Sequence, residues 1–386
     1  LDERIYWLAW SQIEGVGPTL LFRIKQQFGK LSEAWTAHIS DLMVVEGIGE
    51  QTARSLAEQR SRFQPEQFFE EHRRKNPCFW TPEDADYPRL LLEISDPPPI
   101  LYYRGKVEPP ENRGIIPAIA IVGTRTPSDY GRRWTRRICR ALTEAGFTVI
   151  SGLAQGIDTE AHRTCVQQAG RTWAVLGTGV DVIYPASNLS LAQQIVNDGL
   201  LVSEYPAGTQ PDRMNFPRRN RIIAGLSRAT LVLEAPYRSG ALITARLAND
   251  YGRDVYALPG ALDNENCLGC LDLLNHGAQV ILGDRTLIDA LGYLPQLQLE
   301  TSPNQTGTEQ LSLLDAGHSG SSSTPSTIPL TPDLEKVFHQ VPLEAIALDA
   351  IVERSGLETG QVLGSLAQLE LLGLVTQLPG MRYQRS

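Results

Sequence analysis

Two stretches of the chain place arginines beside small, turn-forming residues, a combination suited to gripping an anion. The denser is Phe216-Pro217-Arg218-Arg219-Asn220-Arg221-Ile222-Ile223-Ala224-Gly225-Leu226-Ser227, where three arginines and an asparagine precede an apolar helical run. Cations near a helix N-terminus are unfavourable until an anion joins them. The other is Ile121-Val122-Gly123-Thr124-Arg125, a strand and turn leading through Ser128, Asp129, Tyr130 and Gly131 into a helix. Gly123 permits the tight turn, Thr124 offers a hydroxyl, and Arg125 can hold a phosphate through two parallel hydrogen bonds. This is not a Gly-x-Gly-x-x-Gly loop, so no dinucleotide cofactor is expected.

A second strand–loop–helix turn, Ser151-Gly152-Leu153-Ala154-Gln155-Gly156-Ile157-Asp158, also exposes backbone N–H groups. Ser239-Gly240-Ala241-Leu242-Ile243-Thr244-Ala245 adds hydroxyls near the same rim. Asp158 and His162 stand four residues apart on a helix and could form an acid–base pair, although a helix cap and a packed imidazole explain them better. Glu204 and Glu234 are further carboxylates at strand ends. No Ser–His–Asp order, metal-spaced histidine cluster or Walker loop occurs. Tyr130, Trp134, Phe216 and Tyr237 could stack bases, with packing the commoner role for each. Cys267-Leu-Gly-Cys270 lacks a second ligand pair, so neither a metal nor a redox site is expected.

These turns need a scaffold. Ile119–Val122, Thr148–Ile150, Thr172–Leu176, Thr230–Leu233, Val255–Leu258 and Gln279–Leu282 are near-continuous apolar runs alternating with helical stretches. Continuous runs mark strands buried on both faces, hence an α/β fold with a doubly wound parallel sheet over 76–295. In such a sheet ligands bind beyond the carboxyl ends of the strands, where the turns above fall. Residues 1–75 read as short helices around two similar turns, Ile13-Glu14-Gly15-Val16-Gly17-Pro18 and Val45-Glu46-Gly47-Ile48-Gly49-Glu50, the helix-hairpin-helix pattern. Their glycines suit either phosphate contact or a compact turn, and Glu14, Glu46 and Glu50 repel phosphate.

A Pro-rich connection (Pro82, Pro88, Pro97-Pro98-Pro99) joins this segment to the sheet. Residues 296–330 read as a flexible Ser/Thr/Gly/Pro/Gln-rich linker. Over 331–386, two helices and a strand pair predict a winged helix. That segment carries seven acids against four bases, which favours a protein partner over DNA.

The 386-residue chain is 42% hydrophobic and 20% charged, enough to build two or three domains. No apolar run is long enough to span a bilayer, and Leu1-Asp2-Glu3-Arg4 does not open a secretory leader. The missing initiator Met predicts a trimmed N-terminus. Five scattered cysteines exclude a disulfide scaffold and point to the cytoplasm. A net charge of −9 argues against coating nucleic acid by bulk charge. Yet Arg125 to Arg140 holds six arginines against the single acid Asp129, and Arg213 to Leu233 holds five with none. Such clusters hold an anion locally.

Taken in order, Gly-Thr-Arg (123–125), Ser-Gly-Leu-Ala-x-Gly-Ile-Asp-x-x-Ala-His (151–162), Phe-Pro-x-Arg-Asn-Arg-Ile-Ile-Ala-Gly-Leu-Ser (216–227), Ser-Gly-Ala-Leu-Ile-Thr-Ala (239–245) and Gly-Arg-x-Val-x-Ala-Leu-Pro-Gly (252–260) resemble the DNA-processing protein A (Smf) family. The resemblance implies an extended Rossmann fold flanked by an N-terminal helical, SAM-like domain and a C-terminal winged helix. It also implies a homodimer that binds single-stranded DNA and loads the RecA recombinase during natural transformation, without nucleotide turnover or cofactor. Carried onto this chain, the expected DNA-binding residues are Gly123, Thr124, Arg125, Ser151, Gly152, Gly156, Phe216, Arg218, Arg219, Asn220, Arg221, Ser239, Gly240 and Thr244.

Thr124 departs from the family's usual Gly-Ser-Arg but keeps the hydroxyl, and Gly269-Cys270-Leu271-Asp272 departs at the pocket edge. The sheet also resembles the nucleoside-monophosphate phosphoribohydrolases. Their Pro-Gly-Gly-x-Gly-Thr-x-x-Glu signature is cut short here, where Pro259-Gly260 runs into Ala261-Leu262-Asp263.

Overall fold

Ala118-Ile119-Ala120-Ile121-Val122 is apolar at every position and forms a strand buried on both faces. The computed structural model describes residues 2–292, 332–342, 346–357, 359–371, 374–378 and 382–385. The linker expected over 296–330 lies outside the described residues. Residues 1–301 and 302–386 form two compact units.

Among the described residues of the first unit, nine strands make one sheet. They are β1 (Phe79–Trp80), β2 (Leu101–Gly105), β3 (Ala118–Val122), β4 (Thr148–Ser151) and β5 (Thr172–Leu176). The rest are β6 (Leu200–Ser203), β7 (Ala229–Val232), β8 (Asp254–Ala257) and β9 (Gln279–Val280). Their order is β1-β2-β6-β5-β4-β3-β7-β8-β9, parallel from β6 to β9, with β2 antiparallel to β6 and β1 antiparallel to β2. The chain winds outward from β3 to β6 and then returns to place β7 beside β3. That reversal makes the carboxyl ends of β3 and β7 the topological switch point, where an open sheet leaves a crevice.

The sheet corrects two sequence expectations. β6 is missing from the apolar runs read as strands, although Glu204 is placed at a strand end, because its four residues follow a helix with no turn beyond Gly199. The Pro-rich connection is also more than a tether, since it carries both antiparallel strands, β1 and β2.

Six helices precede the sheet: α1 (Glu3–Trp10), α2 (Pro18–Phe28), α3 (Leu31–Thr36), α4 (Ile39–Leu42), α5 (Glu50–Ser61) and α6 (Pro65–Lys75). The two Gly-rich turns have matching geometry. Gly15 and Gly47 take φ of 88° and 93°, and Gly17 and Gly49 then open α2 and α5 in extended conformation. Each turn is braced by the helix following the other. Gln59 Oε1 on α5 accepts from Glu14 N at 2.9 Å, and Arg23 Nη1 on α2 donates to Glu46 O at 3.2 Å. The helices share a core with the sheet edge through Phe79, Ile100 and Tyr102.

The helices beside the sheet are α7 (Pro109–Asn112), α8 (Asp129–Glu144), α9 (Ile157–Gln167) and α10 (Leu189–Asp198), then α11 (Asn215–Gly225), α12 (Gly240–Asp250), α13 (Leu268–Asn275) and α14 (Asp284–Gly292). One core unites α8, α9 and α14 through Ile138, Leu142, Ala161, Cys165, Leu287 and Leu291. A separate core takes in α11, α12 and α13 through Ile222, Ile223, Ala241, Ala245 and Cys270.

The second unit contains α15 (Pro332–Gln340), β10 (Ile346–Ala347), α16 (Leu348–Ser355), α17 (Thr359–Leu371), β11 (Val375–Leu378) and β12 (Arg382–Arg385). Its sheet order is β10-β12-β11, and Val337, Ile351, Val362, Leu366 and Leu369 fill its core. Helices followed by a strand pair are the winged helix anticipated from the sequence.

Candidate nucleic-acid interface

The crevice at the switch point is a cleft of about 710 Å³. Its walls come from the turn after β3 (Gly123, Thr124, Arg125), the turn after β7 (Pro236, Arg238, Ser239) and the starts of α11 and α12. Gly152, Gln155, Tyr184 and Pro185 line an adjoining slot of about 70 Å³, shared with Arg125, Phe216 and Arg219. Segments far apart in sequence thus converge because their strands end on one edge.

Buried hydrogen bonds hold the cleft's frame. Thr124 N donates to Glu234 O at 2.6 Å, tying the β3 and β7 turns together. The Glu234 carboxylate, itself 1% exposed, accepts from Ser128 N at 2.8 Å and Ser128 Oγ at 2.5 Å. Ser239 caps α12 by accepting from Ala241 N at 3.2 Å, and Asn220 Nδ2 donates to Gly240 O at 3.3 Å. The N-terminus of α12 therefore opens on the cleft with its partial positive charge.

Arg219 forms the floor. Its Nη1 donates to Gly152 O at 2.8 Å and to Val175 O. Asp158 lies close by, its Oδ2 accepting from Gly152 N at 3.0 Å and Ala154 N at 3.3 Å. Burial lifts the Asp158 carboxyl to about 6 against the opposing pull of Arg219. Burial also lowers the Arg219 guanidinium to about 10, so it stays charged at neutral pH.

The rim is a different environment. Arg125, Arg213 and Arg238 are exposed cleft residues, and none has an ion-pair partner among the described residues. The one acid among the lining residues is Asp158, sunk beneath them. Tyr184 is 47% exposed and its ring lies 5.4 Å from that of Phe216, tilted by 38°. The cleft therefore offers free cations, backbone N–H groups and an aromatic pair together, the equipment for phosphates and bases.

Ten of the fourteen residues singled out from the sequence line this cleft or its slot: Gly123, Thr124, Arg125, Gly152, Phe216, Arg219, Asn220, Ser239, Gly240 and Thr244. Four do not. Ser151 is fully buried and its Oγ donates to Ile121 O at 2.6 Å, so its hydroxyl is spent inside the sheet. Gly156 supports the loop from behind, at φ 83°, with its α-carbon facing the backbone of Thr124 and Arg125. Arg218 is exposed on α11 but is not in the wall.

Arg221 turns to the other side of α11, where it meets Glu204 Oε2 at 2.6 Å and Asp96 Oδ2 at 3.2 Å. The expectation that Arg221 lines the pocket is therefore corrected: Arg219 and Arg221 stand two positions apart, about 200° around the helix, and cannot face the same side. Sequence reasoning missed Arg238 and Tyr184 outright. It counted Arg213 in a cluster without placing it at the site, and Tyr237, named as a stacking candidate, is not in the wall.

The possible catalytic groups are occupied. Glu204 is paired with Arg221, and Glu234 holds the start of α8. Thr172 Oγ1 donates to Val149 O at 2.7 Å, so the 2.7 Å contact with His162 Nδ1 requires the ring to donate. Burial, with Arg219 adding to it, holds the fully enclosed His162 down at about 3. The ring is thus neutral at physiological pH and enclosed, with Nδ1 committed to Thr172. Among the described residues, no group of three or more His, Cys, Asp and Glu could hold a metal ion, and no helix is long and apolar enough to cross a membrane.

Comparison with known proteins gives this architecture its relatives. Residues 78–292 match the family model described as DNA recombination-mediator protein A, and residues 321–381 match that of the DprA winged helix domain. Protein Smf of Synechocystis sp. is 51% identical, covering 100% of this chain and 99% of the relative. The X-ray structure of DNA processing protein A from Streptococcus pneumoniae is 33% identical with a TM-score of 0.65, covering 76% of this chain and 99% of that one. A structure of the Helicobacter pylori protein, described by its single-stranded DNA binding mode, is 31% identical with a TM-score of 0.50, covering 55% and 95%. With the switch-point cleft, the winged helix and the full-length similarity in agreement, the chain belongs to the DNA recombination-mediator protein A family.

Proposed function

We propose that the protein binds single-stranded DNA in the switch-point cleft, without catalysis, and delivers it to RecA in recombination or natural transformation. The observation that carries the reading is the cleft itself: three unpaired arginines on the rim, Arg219 on the floor and the Tyr184–Phe216 pair on the wall. Phosphates engage Arg125, Arg213 and Arg238, and bases rest against the rings, so affinity is largely independent of sequence. The remaining cleft residues from the expected set shape the wall. The single-stranded DNA binding described for the Helicobacter pylori relative supports this assignment. Commitment of Glu204, Glu234 and His162 to internal partners supports a binder rather than the phosphoribohydrolase alternative. Cytoplasmic work on DNA follows from the same reading.

A homodimer through the sheet domain is part of the proposal. Val280 on the edge strand β9 is 43% exposed, and Leu282 and Leu262 are 76% and 82% exposed. An apolar sheet edge of this kind favours pairing with a second copy. Two joined clefts would multiply affinity for one strand. The winged helix is assigned to protein contact, in keeping with its acidic balance.

The test is fluorescence anisotropy of labelled single- and double-stranded oligonucleotides across a salt series. Tight single-strand binding, weak duplex binding and a clear salt slope support the reading. Equal affinity for duplex would move the DNA site elsewhere. Hydrolysis of a nucleoside monophosphate without DNA binding would give the site to the enzyme alternative. Filament assembly by RecA on coated strands then tests delivery.

A further inference from the structure

The arginines of α8 do not line the cleft, yet five of them stand on this one helix. Arg132, Arg133, Arg136, Arg137 and Arg140 are all exposed. At about 100° per residue they fall within an arc of about 140°, a single face of the helix. Gly131, Thr135, Ile138, Cys139 and Leu142 are buried on the other side. The arrangement sets like charges four residues apart at 132/136, 133/137 and 136/140, which weakens a helix unless counter-charge offsets it.

Internal partners supply only part of that counter-charge. Arg137 forks onto Asp284, with Nε and Nη2 each at 2.9 Å, and Arg136 Nε meets Glu160 at 2.5 Å. Arg132, Arg133 and Arg140 have no ion pair among the described residues. The helix's own acids, Asp129 and Glu144, sit at its two ends. Arg133 and Arg137 lie over the rings of Tyr130 and Trp134, at 5.8 and 5.1 Å, which orders their guanidiniums before any ligand arrives.

The ridge is joined to the cleft. Arg125 stands three residues before Ser128, the cap of α8, and Ser128 is locked onto the Glu234 carboxylate. The Glu234 carbonyl in turn fixes Thr124 on the cleft wall. From that lip the helix runs for about 24 Å.

We infer that α8 is an outer track for the same single strand, whose phosphates leave the cleft over Arg125 and continue along Arg132, Arg133, Arg136 and Arg140. The inference rests on the cleft reading for its starting point. Continuity with the cleft favours DNA over an acidic protein as the occupant. The track adds phosphate contacts without base contacts, so it acts on length and salt dependence rather than on sequence preference.

The test uses the full chain with Arg132→Gln/Arg133→Gln/Arg140→Gln, three exposed residues whose change spares the core. A charge-matched control is Arg74→Gln/Lys75→Gln/Arg89→Gln, remote exposed cations. Anisotropy is read with oligothymidylates of two lengths, one filling only the cleft and one long enough to run beyond it. The ridge variant is expected to bind the short strand normally and the long one roughly tenfold more weakly, with a salt slope lower by about 2.

Wild-type affinity of the ridge variant for the long strand, or the same loss in the control, overturns the inference. So does normal DNA binding coupled with loss of an interaction with a recombinase, which would make the ridge a protein surface. Failure of the cleft reading shows separately, as Arg125→Ala leaving the short strand's affinity unchanged.

Discussion

The Arg219 guanidinium and the Asp158 carboxylate close on Gly152 from two sides. Arg219 Nη2 and Asp158 Oδ2 each lie 2.7 Å from the place where a side-chain carbon on Gly152 would begin. A Gly152→Ala change must therefore displace one of two buried charged groups that backbone hydrogen bonds hold in place. The expected cost is about 2–3 kcal/mol of stability, within the range for overpacking a filled interior. Chemical denaturation would show it as a lower midpoint. Because the displaced Arg219 is the cleft floor, single-strand affinity should fall even at temperatures where the variant is fully folded.

Acid should act on the folded protein through two buried groups that pull in opposite directions. His162, held down at about 3 from an ordinary value of 6.5, binds its proton less readily when folded. Its contribution to stability is present above pH 6.5 and is lost as pH falls from there toward 3. Asp158, raised to about 6 from 3.8, binds its proton more readily when folded, so its protonation stabilises as pH falls from 6 to about 4. Between pH 6 and 4 the two partly cancel; below 4 only the histidine loss continues. His162→Gln should flatten the acid limb of a stability–pH curve, and Asp158→Asn should steepen it. Urea midpoints measured at half-unit pH steps would decide the matter, and parallel limbs for all three proteins would contradict the assignment.

Arg125 and Arg221 carry the same charge in neighbouring parts of the fold, yet they should fail in different ways. Arg125 is exposed on the cleft and its loss leaves no buried partner behind. Arg125→Ala should leave the melting temperature nearly unchanged while single-strand affinity drops roughly tenfold and the salt slope falls by about 0.7. Arg221 is 8% exposed and neutralises Glu204 and Asp96. Arg221→Ala leaves Glu204 without its cation and Asp96 with only the Tyr251 hydroxyl, and should cost about 2–4 kcal/mol of stability. Affinity of its folded fraction should stay close to wild type. Thermal melts paired with anisotropy separate the two, and a stable Arg221→Ala protein that cannot bind DNA would return Arg221 to the site.

How far the sequence disclosed this site depends on what each residue type encodes. The parallel strands were legible because burial on both faces leaves an unbroken apolar run, as in Ala118–Val122. The turns after them were legible because a close approach of backbone demands Gly, as at Gly123 and Gly152. The edge strand pair β1 and β2 was hidden by the prolines between them, which read as a connection. Composition also could not say which way a helical arginine faces. Arg219 and Arg221 differ by two positions, or about 200° around α11, and one serves the cleft floor while the other neutralises Glu204. Tyr184 and Arg238 reach the cleft from loops whose course is set by tertiary packing, and no local pattern announces that.

Tyr184 gives the sharpest test of how bases are held. Its ring is half exposed, tilted against Phe216, and part of both the main cleft and the side slot. Phe216 is the supporting member, since its ring packs over Gly177, where an added carbon would stand 2.9 Å away. A base stacked on Tyr184 should contribute about 1–3 kcal/mol regardless of its identity. Tyr184→Ala should therefore weaken binding of homopolymeric strands by at least about fivefold. Tyr184→Phe should restore most of that loss, because the ring rather than the hydroxyl does the stacking. The control is a strand of abasic sites with the same phosphate spacing. Wild type and Tyr184→Ala should bind it alike, whereas an equal loss on abasic and natural strands would mean that Tyr184 shapes the loop instead of contacting bases.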